Sequence, residues 1–415
     1  MVACRVWDHE ADGSKPLTLT TEMDRERLDL TEKDRAFYGN FISWLEQSWY
    51  GVPASDFLLP YVAARYTPEE AAFLTGMPFA PRTLAELSEL TGTGIEELGP
   101  KLDGLAARGL VYKQVRDGIS RYYLNDIFFI YRSFGWPGRR DEYDRSVGSL
   151  QHRYITGGLM SPWKDVEEKG LRVLPVGAVI EESRGVLPYE EVRRILDNVE
   201  YFTVSHCPCR HANNLDPDSP DCLYPTEICL HFDRLGRYIV ENGMGREITR
   251  REAEEILTRS AELGLIHGIS NQQQKPDTIC NCCRDCCIWF MTMKKYRHSG
   301  SLTPSNFRIT VDRSACVGCG LCVKRCPMEA LHLDDEPGAR GRKTTIIDAQ
   351  GREKHLVNKE GRVSSPDVSL CIGCGVCAYK CPSGALSLKR NVVDHHPPQS
   401  GRELVSQFIS GKNGR

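Results

Sequence analysis

Eighteen cysteines hold most of the chemistry in this 415-residue chain, and they are unevenly placed. Cys4 stands alone before position 207, and the other 17 fall between Cys207 and Cys381. Two stretches share one spacing: Cys316, Cys319, Cys322 and Cys326 before Pro327, and Cys371, Cys374, Cys377 and Cys381 before Pro382. Three thiolates on a tight Gly-containing loop wrap three irons of a cubane, and the fourth, leaving on the next helix, reaches a second cluster. Cys4-type zinc sites also use C-x2-C pairs, but not tandem repeats of four cysteines each closed by proline. Disulfides are the other use of many cysteines. A long chain under reducing poise more often commits clustered thiols to metal.

Nine more thiols lie between these repeats and the N-terminal half: Cys207, Cys209, Cys222, Cys229, Cys280, Cys282, Cys283, Cys286 and Cys287. On an extended segment Cys207 and Cys209 face one side about 7 Å apart, which suits two corners of one cluster. With 282–287 helical, Cys282 and Cys286, and Cys283 and Cys287, form two i,i+4 pairs. The expectation is one or two further clusters. One pairing puts Cys207, Cys209, Cys282 and Cys286 on one and Cys222, Cys229, Cys283 and Cys287 on the other, leaving Cys280 over. C-x-C and doubled cysteines favour iron–sulfur over zinc here. His206, His211 and His231 are candidates for ligation or for hydrogen bonds to sulfide. Arg210 and Arg284 would offset cluster charge, or serve as solvated loop charges.

The two C-terminal runs match the C-x2-C-x2-C-x3-C-P of bacterial ferredoxins, so this part of the chain resembles a two-cluster 4Fe-4S ferredoxin domain. The resemblance implies one cluster on Cys316, Cys319, Cys322 and Cys381 and another on Cys371, Cys374, Cys377 and Cys326. Val317, Leu321, Val323, Ile372, Val376 and Ala378 would seal them from water. Residues 327–370 exceed the compact family link, and alternation at Thr344–Asp348 and His355–Val357 predicts an extra hairpin. The C-P-C-R, the E-I-C-L around Cys229, a helix from Thr249 to Gly264 and the C-N-C-C resemble a Cys-rich domain that precedes ferredoxin modules in poorly characterised anaerobe proteins. Over about residues 170–390 this implies redox work under low oxygen and names no substrate.

Several elements must position these thiols. Phe37 to Tyr61 reads as core helices. Thr83 with Glu86, and Thr93 with Glu96, read as capping boxes opening two helices. The second helix carries Pro100, which should kink it. Gly109 closes it before a hairpin, Val111–Val115 and Arg121–Leu124, turned at Asp117-Gly118. That order resembles a winged helix-turn-helix. The second helix nets -1, from Glu96, Glu97 and Asp103 against Lys101 and Arg108, which favours a structural or protein-binding role over DNA reading. The fold class is α+β, multidomain. The expected division is a helical segment 1–65, a winged-helix-like domain 66–132, a linker or wrapping segment 133–187, a Cys-rich iron–sulfur domain 188–300, a ferredoxin domain 301–392 with insertion 333–366, and a tail 393–415. Leu404, Phe408 and Ile409 are expected on a short helix of that tail, as a docking element or a frayed end.

Lys+Arg 53 against Asp+Glu 56 gives a net charge of -3, so no basic field recruits nucleic acid. No apolar run reaches the ~18 residues of a membrane span, and Met1–Glu10 lacks a signal-peptide core, so the expected location is the cytoplasm. There is no G-x-G-x-x-G after a strand, no P-loop, no nucleophile elbow and no H-E-x-x-H, so neither a flavin nor a nicotinamide site is expected. The reading is an electron-transfer component of an anaerobic oxidoreductase system, relaying single electrons to redox partner proteins as a complex subunit or homo-oligomer. Two rival readings are a reductase with substrate at an open iron near the C-N-C-C, and a redox-sensing winged-helix regulator.

Overall fold

The computed structural model describes residues 30–163, 166–181, 186–296, 302–347, 351–392 and 394–413. Cys4 lies outside the described residues. Helix α1 (Glu32–Leu45) opens on a capping box between Thr31 and Asp34 and buries Tyr38, Phe41 and Leu45, as the aromatic stretch predicts. Helices α2 (Leu58–Arg65) and α3 (Pro68–Leu74) follow, then strand β1 (Arg82–Thr83), helices α4 (Leu84–Thr91) and α5 (Ile95–Ala107), and strands β2 (Val111–Arg116) and β3 (Ile119–Leu124). The strands pair antiparallel in the order β1-β3-β2.

Thr83 and Glu86 form the expected capping box. Thr93 and Glu96 do not: the cap of α5 is Gly94, with no side-chain bond, because Thr93 lies one residue too early. Pro100 sits within α5. It is exposed, as is Glu96, whose carbonyl it cannot pair. Asp117 and Gly118 both take positive φ, 55° and 72°, at the two-residue turn between β2 and β3.

The segment expected to be a linker folds instead. Helix α6 (Ile127–Gly135) runs into it, and helix α7 (Glu142–Tyr154) and strand β4 (Leu171–Leu174) lie within it. Its polar composition hid α7 because that helix buries polar side chains with partners. Tyr61 donates to Gln151 at 2.9 Å, and His152 Nδ1 meets Asp216 at 2.7 Å.

A six-stranded antiparallel sheet, ordered β4-β8-β9-β6-β5-β7, carries the middle of the chain. It adds β5 (Phe202–His206), β6 (Glu227–Phe232), β7 (Arg246–Ile248), β8 (Ile266–Ser270) and β9 (Thr278–Cys282). Its helices are α8 (Val192–Leu196), α9 (Pro208–Leu215), α10 (Asp233–Glu241), α11 (Arg250–Leu263) and α12 (Ile288–Tyr296). The Thr249 cap and left-handed Gly264 bound α11 where the sequence predicts.

In the C-terminal part, β10 (Phe307–Val311) pairs with β15 (Leu386–Arg390), and β11 (Leu331–Asp335) with β14 (Arg362–Pro366). Short helices α13 (Leu321–Arg325) and α14 (Val376–Tyr379) follow the two thiol loops. Strands β12 (Lys343–Ile347) and β13 (Glu353–Val357) form the extra hairpin; Asp348 lies outside the described residues. Backbone bonds tie this part to the middle: Val173 N–H to Thr303 O at 2.8 Å, Val176 N–H to Cys374 O at 3.1 Å, and Glu181 N–H to Leu388 O at 3.0 Å. Helix α15 (Gly401–Asn413) folds back so that Phe408 is fully buried against Trp49, Tyr50 and Trp163, while Ile409 stays exposed.

Candidate metal centres

In the C-terminal part the chain reverses sharply at each thiol loop, and the glycines permit it. Gly318, Gly320, Gly373 and Gly375 all have positive φ. A Cβ on Gly373 would collide with the carbonyl of Phe307, and one on Gly318 with that of Arg362. The loops enclose two cavities. One is lined by Cys371, Cys374, Cys377 and Cys326, with Ile372 and Val376 among the apolar walls. The other is lined by Cys316, Cys319, Cys322 and Cys381, with Val317 and Leu321. Each cavity thus draws three cysteines from one repeat and the fourth from the other. Val323 and Ala378 pack in the core beside the loops and line neither cavity.

The donor set fits a cationic cluster. Burial pushes the Cys374 thiol up to about 12 and Cys377 well above its ordinary value, so thiolates here require a positive centre. Backbone N–H groups are already aimed at sulfur, Ser364 to Cys316 at 3.3 Å and Ala330 to Cys326 at 3.2 Å. Such bonds favour the thiolate and tune a cluster's potential.

The nine middle thiols divide differently from the expected pairing. The 282–287 segment is not helical: β9 runs to Cys282, a turn covers 284–286, and α12 starts at Ile288. Neighbouring thiols shift one another's titration in a continuous run, Cys207 with Cys209, Cys209 with Cys287, Cys287 with Cys282, Cys282 with Cys280, and Cys280 with Cys229. Six thiols therefore gather. Cys280 and Cys282 reach them from one face of β9, as strand alternation requires, and Cys280 is not left over. Tyr131 donates to Cys209 Sγ at 2.9 Å. The remaining three, Cys222, Cys283 and Cys286, form a second group with all sulfurs within 4.8 Å. Cys286 thus joins Cys222 and Cys283 rather than Cys207, Cys209 and Cys282.

The hydrogen bond with Cys222 holds Cys283 well below the usual thiol value, and the same crowding holds Cys286 well above it. Arg210, fully buried, points Nε at Cys283 Sγ at 3.5 Å and anchors Nη1 to Pro225 O and Nη2 to Asn281 O at 2.6 and 2.5 Å. Arg284 is instead a surface charge between Asp285 and Glu329.

Two of the three histidines bond the scaffold. His206 bonds Thr226, and His231 bonds Ser205 and Thr278 through both ring nitrogens. Burial lowers His211 to about 4, so it stays neutral. Tyr131 and Asn281, which support the thiols from α6 and β9, escaped the sequence reading; no spacing rule marks them.

Among the described residues, no helix is long and apolar enough to cross a membrane. Residues 315–385 match the 4Fe-4S dicluster domain family. A putative ferredoxin-3 of Sinorhizobium fredii is 32% identical over 99 residues, covering 22% of this chain and 87% of that protein. The glycolate oxidase iron-sulfur subunit of Escherichia coli is 33% identical over 96 residues, 23% of this chain and 20% of that protein. NAD(P)H-quinone oxidoreductase subunit I of Gloeobacter violaceus is 30% identical over 93 residues, 21% of this chain and 37% of that protein. The chain thus spans well under half the length of these two oxidoreductase subunits. No solved structure matches it. Through its C-terminal domain, the chain belongs to the 4Fe-4S dicluster ferredoxin family.

Proposed function

We propose that this protein is a multi-cluster electron carrier, an iron–sulfur component of an anaerobic oxidoreductase system in a reducing cytoplasm. Cys316, Cys319, Cys322 and Cys381 would hold one 4Fe-4S cluster and Cys371, Cys374, Cys377 and Cys326 the other, with a further iron–sulfur centre in the six-thiol group of the middle sheet. Iron–sulfur centres supply one-electron steps; the chain supplies burial, spacing and hydrogen bonds that set their potentials. The observation that carries the reading is the exchange of the fourth cysteine between the two cavities. Continuity supports it too, since Cys209, Cys280, Cys282, Cys287 and Cys374 border one apolar core. None of the seventeen described cysteines forms a disulfide. The curated relatives' names, ferredoxin and oxidoreductase iron-sulfur subunit, point to redox partners.

The 66–132 unit, with its helix-strand-helix-helix-hairpin order, is proposed as a winged-helix-like packing module rather than a DNA reader. Several basic side chains of α5, its cap and β2 are engaged within the unit: Arg108 with Glu70, Lys113 with Asp103 at 2.8 Å, and Lys101 over the Phe73 ring. Tyr112 of β2 stacks on Tyr238 of α10 at 4.3 Å. The functional test is an anaerobic redox titration followed by visible absorption. The account expects reversible bleaching in one-electron steps and transfer of those electrons to a one-electron dye. Absorption that neither bleaches nor recovers would remove the reading.

A further inference from the structure

We propose that Cys222, Cys283 and Cys286 bind a single zinc ion as a tris-thiolate site whose fourth position is taken by water or a small exogenous donor, separate from every iron–sulfur centre of the chain.

Spacing is the first argument. Cys222 Sγ and Cys283 Sγ are 3.9 Å apart, and all three sulfurs lie within 4.8 Å of one another. Two sulfurs of a tetrahedral zinc at ~2.3 Å stand about 3.8 Å apart. Thiolates on separate corners of an iron–sulfur cube stand farther apart, because two irons intervene. The molecule carries its own comparison. The eight ferredoxin cysteines surround open cavities, and among the described residues no other three Cys, His, Asp or Glu ligand atoms approach so closely.

Connectivity is the second. Cys283-Arg284-Asp285-Cys286 is a C-x2-C folded as a tight turn, the ligand spacing of structural zinc sites. Cys222 comes from the loop before β6. The third argument is charge. Three thiolates and one divalent ion carry -1, and Arg210 beside Cys283 supplies +1. The site is buried among Ile228, Leu265 and the partly buried Tyr224 and Ile256, where an unbalanced charge would be costly. A fourth thiolate would leave a net -1. Charge alone fits a three-thiolate cube equally well; sulfur spacing selects the mononuclear ion. Binding releases the thiol protons to solvent and changes no oxidation state.

The test uses the full chain purified without air. Zinc, iron and acid-labile sulfide are counted per chain in the wild type and in Cys222→Ser, Cys283→Ser and Cys316→Ser. The account expects one zinc in the wild type, its loss in the first two variants with iron and sulfide unchanged, and its retention in Cys316→Ser, which loses iron. Visible cluster absorption in the Cys222 and Cys283 variants reports that the chain still folds. Where a variant does not fold, zinc-edge X-ray absorption of the wild type decides, with three sulfurs at ~2.3 Å and one lighter donor expected. Loss of about four irons from Cys222→Ser, zinc retained in both triad variants, or wild type that takes up no zinc from solution would overturn the proposal. A wild type with zinc but no iron would instead sink the electron-carrier reading.

Discussion

Arg284 Nη2 stands 2.9 Å from Glu329 Oε1, joining the turn between Cys283 and Cys286 to the loop that follows Cys326. The middle thiol groups and the ferredoxin loops are therefore laterally adjacent. The pair is largely solvated on the Glu329 side, so it marks adjacency more than it stabilises. Arg325 is the stronger tie: its guanidinium donates to Ala261 O at 2.8 Å, Glu262 O at 3.1 Å and Val376 O at 2.9 Å.

Arg284→Ala should cost at most about 1 kcal/mol, as exposed ion pairs do. Arg325→Ala should cost about 2–3 kcal/mol, because a half-buried guanidinium that bonds the carbonyls of Ala261, Glu262 and Val376 is lost, and Ala261 O keeps only the Gly264 N–H. Thermal midpoints of the metal-loaded variants check the ordering, and equal losses would contradict it.

Gly373→Ala should destabilise by about 1–3 kcal/mol through overpacking with left-handed strain added, since its new methyl meets the Phe307 carbonyl. Gly118→Ala shares the positive φ but faces open space, and should cost about 1 kcal/mol. Only Gly373→Ala should also lower iron content, as measured per chain.

The ferredoxin loops, the inserted hairpin and the α11 caps were legible because local spacing determines them. What sequence could not show is the partition of the middle thiols. Whether 282–287 is helix or turn depends on Ile266 pairing with Cys282 across the sheet, a contact between distant residues. The Cys283–Cys286 spacing was visible all along but was masked by the neighbouring Cys282 and Cys287. Helix α7 was missed because its buried face holds Asp144, Ser146, Gln151 and His152, which look like surface until Tyr61 and Asp216 supply their partners.

Asp144 carries a pH prediction. Burial, then the hydrogen bond with Asp141, raises its carboxyl to about 6. The folded state therefore binds a proton that the unfolded state releases near 3.8, and this contribution is present at low pH and lost as pH rises through about 6. Asp144→Asn, neutral at every pH, should stabilise the protein at pH 7 by about 1 kcal/mol after solvent screening. The gain should vanish at pH 4. Melting curves at the two pH values measure it, and a gain of equal size at both would contradict the assignment.

Phe408→Ala should cost about 3–5 kcal/mol, since the ring is fully buried between Tyr50 and Trp163. Limited proteolysis should then release the 401–413 helix first. A tail no more cleavable than in the wild type would show that its anchor lies elsewhere.

The most direct test of the central claim is iron and acid-labile sulfide per chain in protein prepared without air, with EPR of the reduced form. The account predicts a brown protein with about twelve irons and as many sulfides, eight from the two ferredoxin clusters and about four from the six-thiol group, and EPR of several interacting centres. A colourless chain that binds zinc alone, with no sulfide and no EPR signal on reduction, would contradict it.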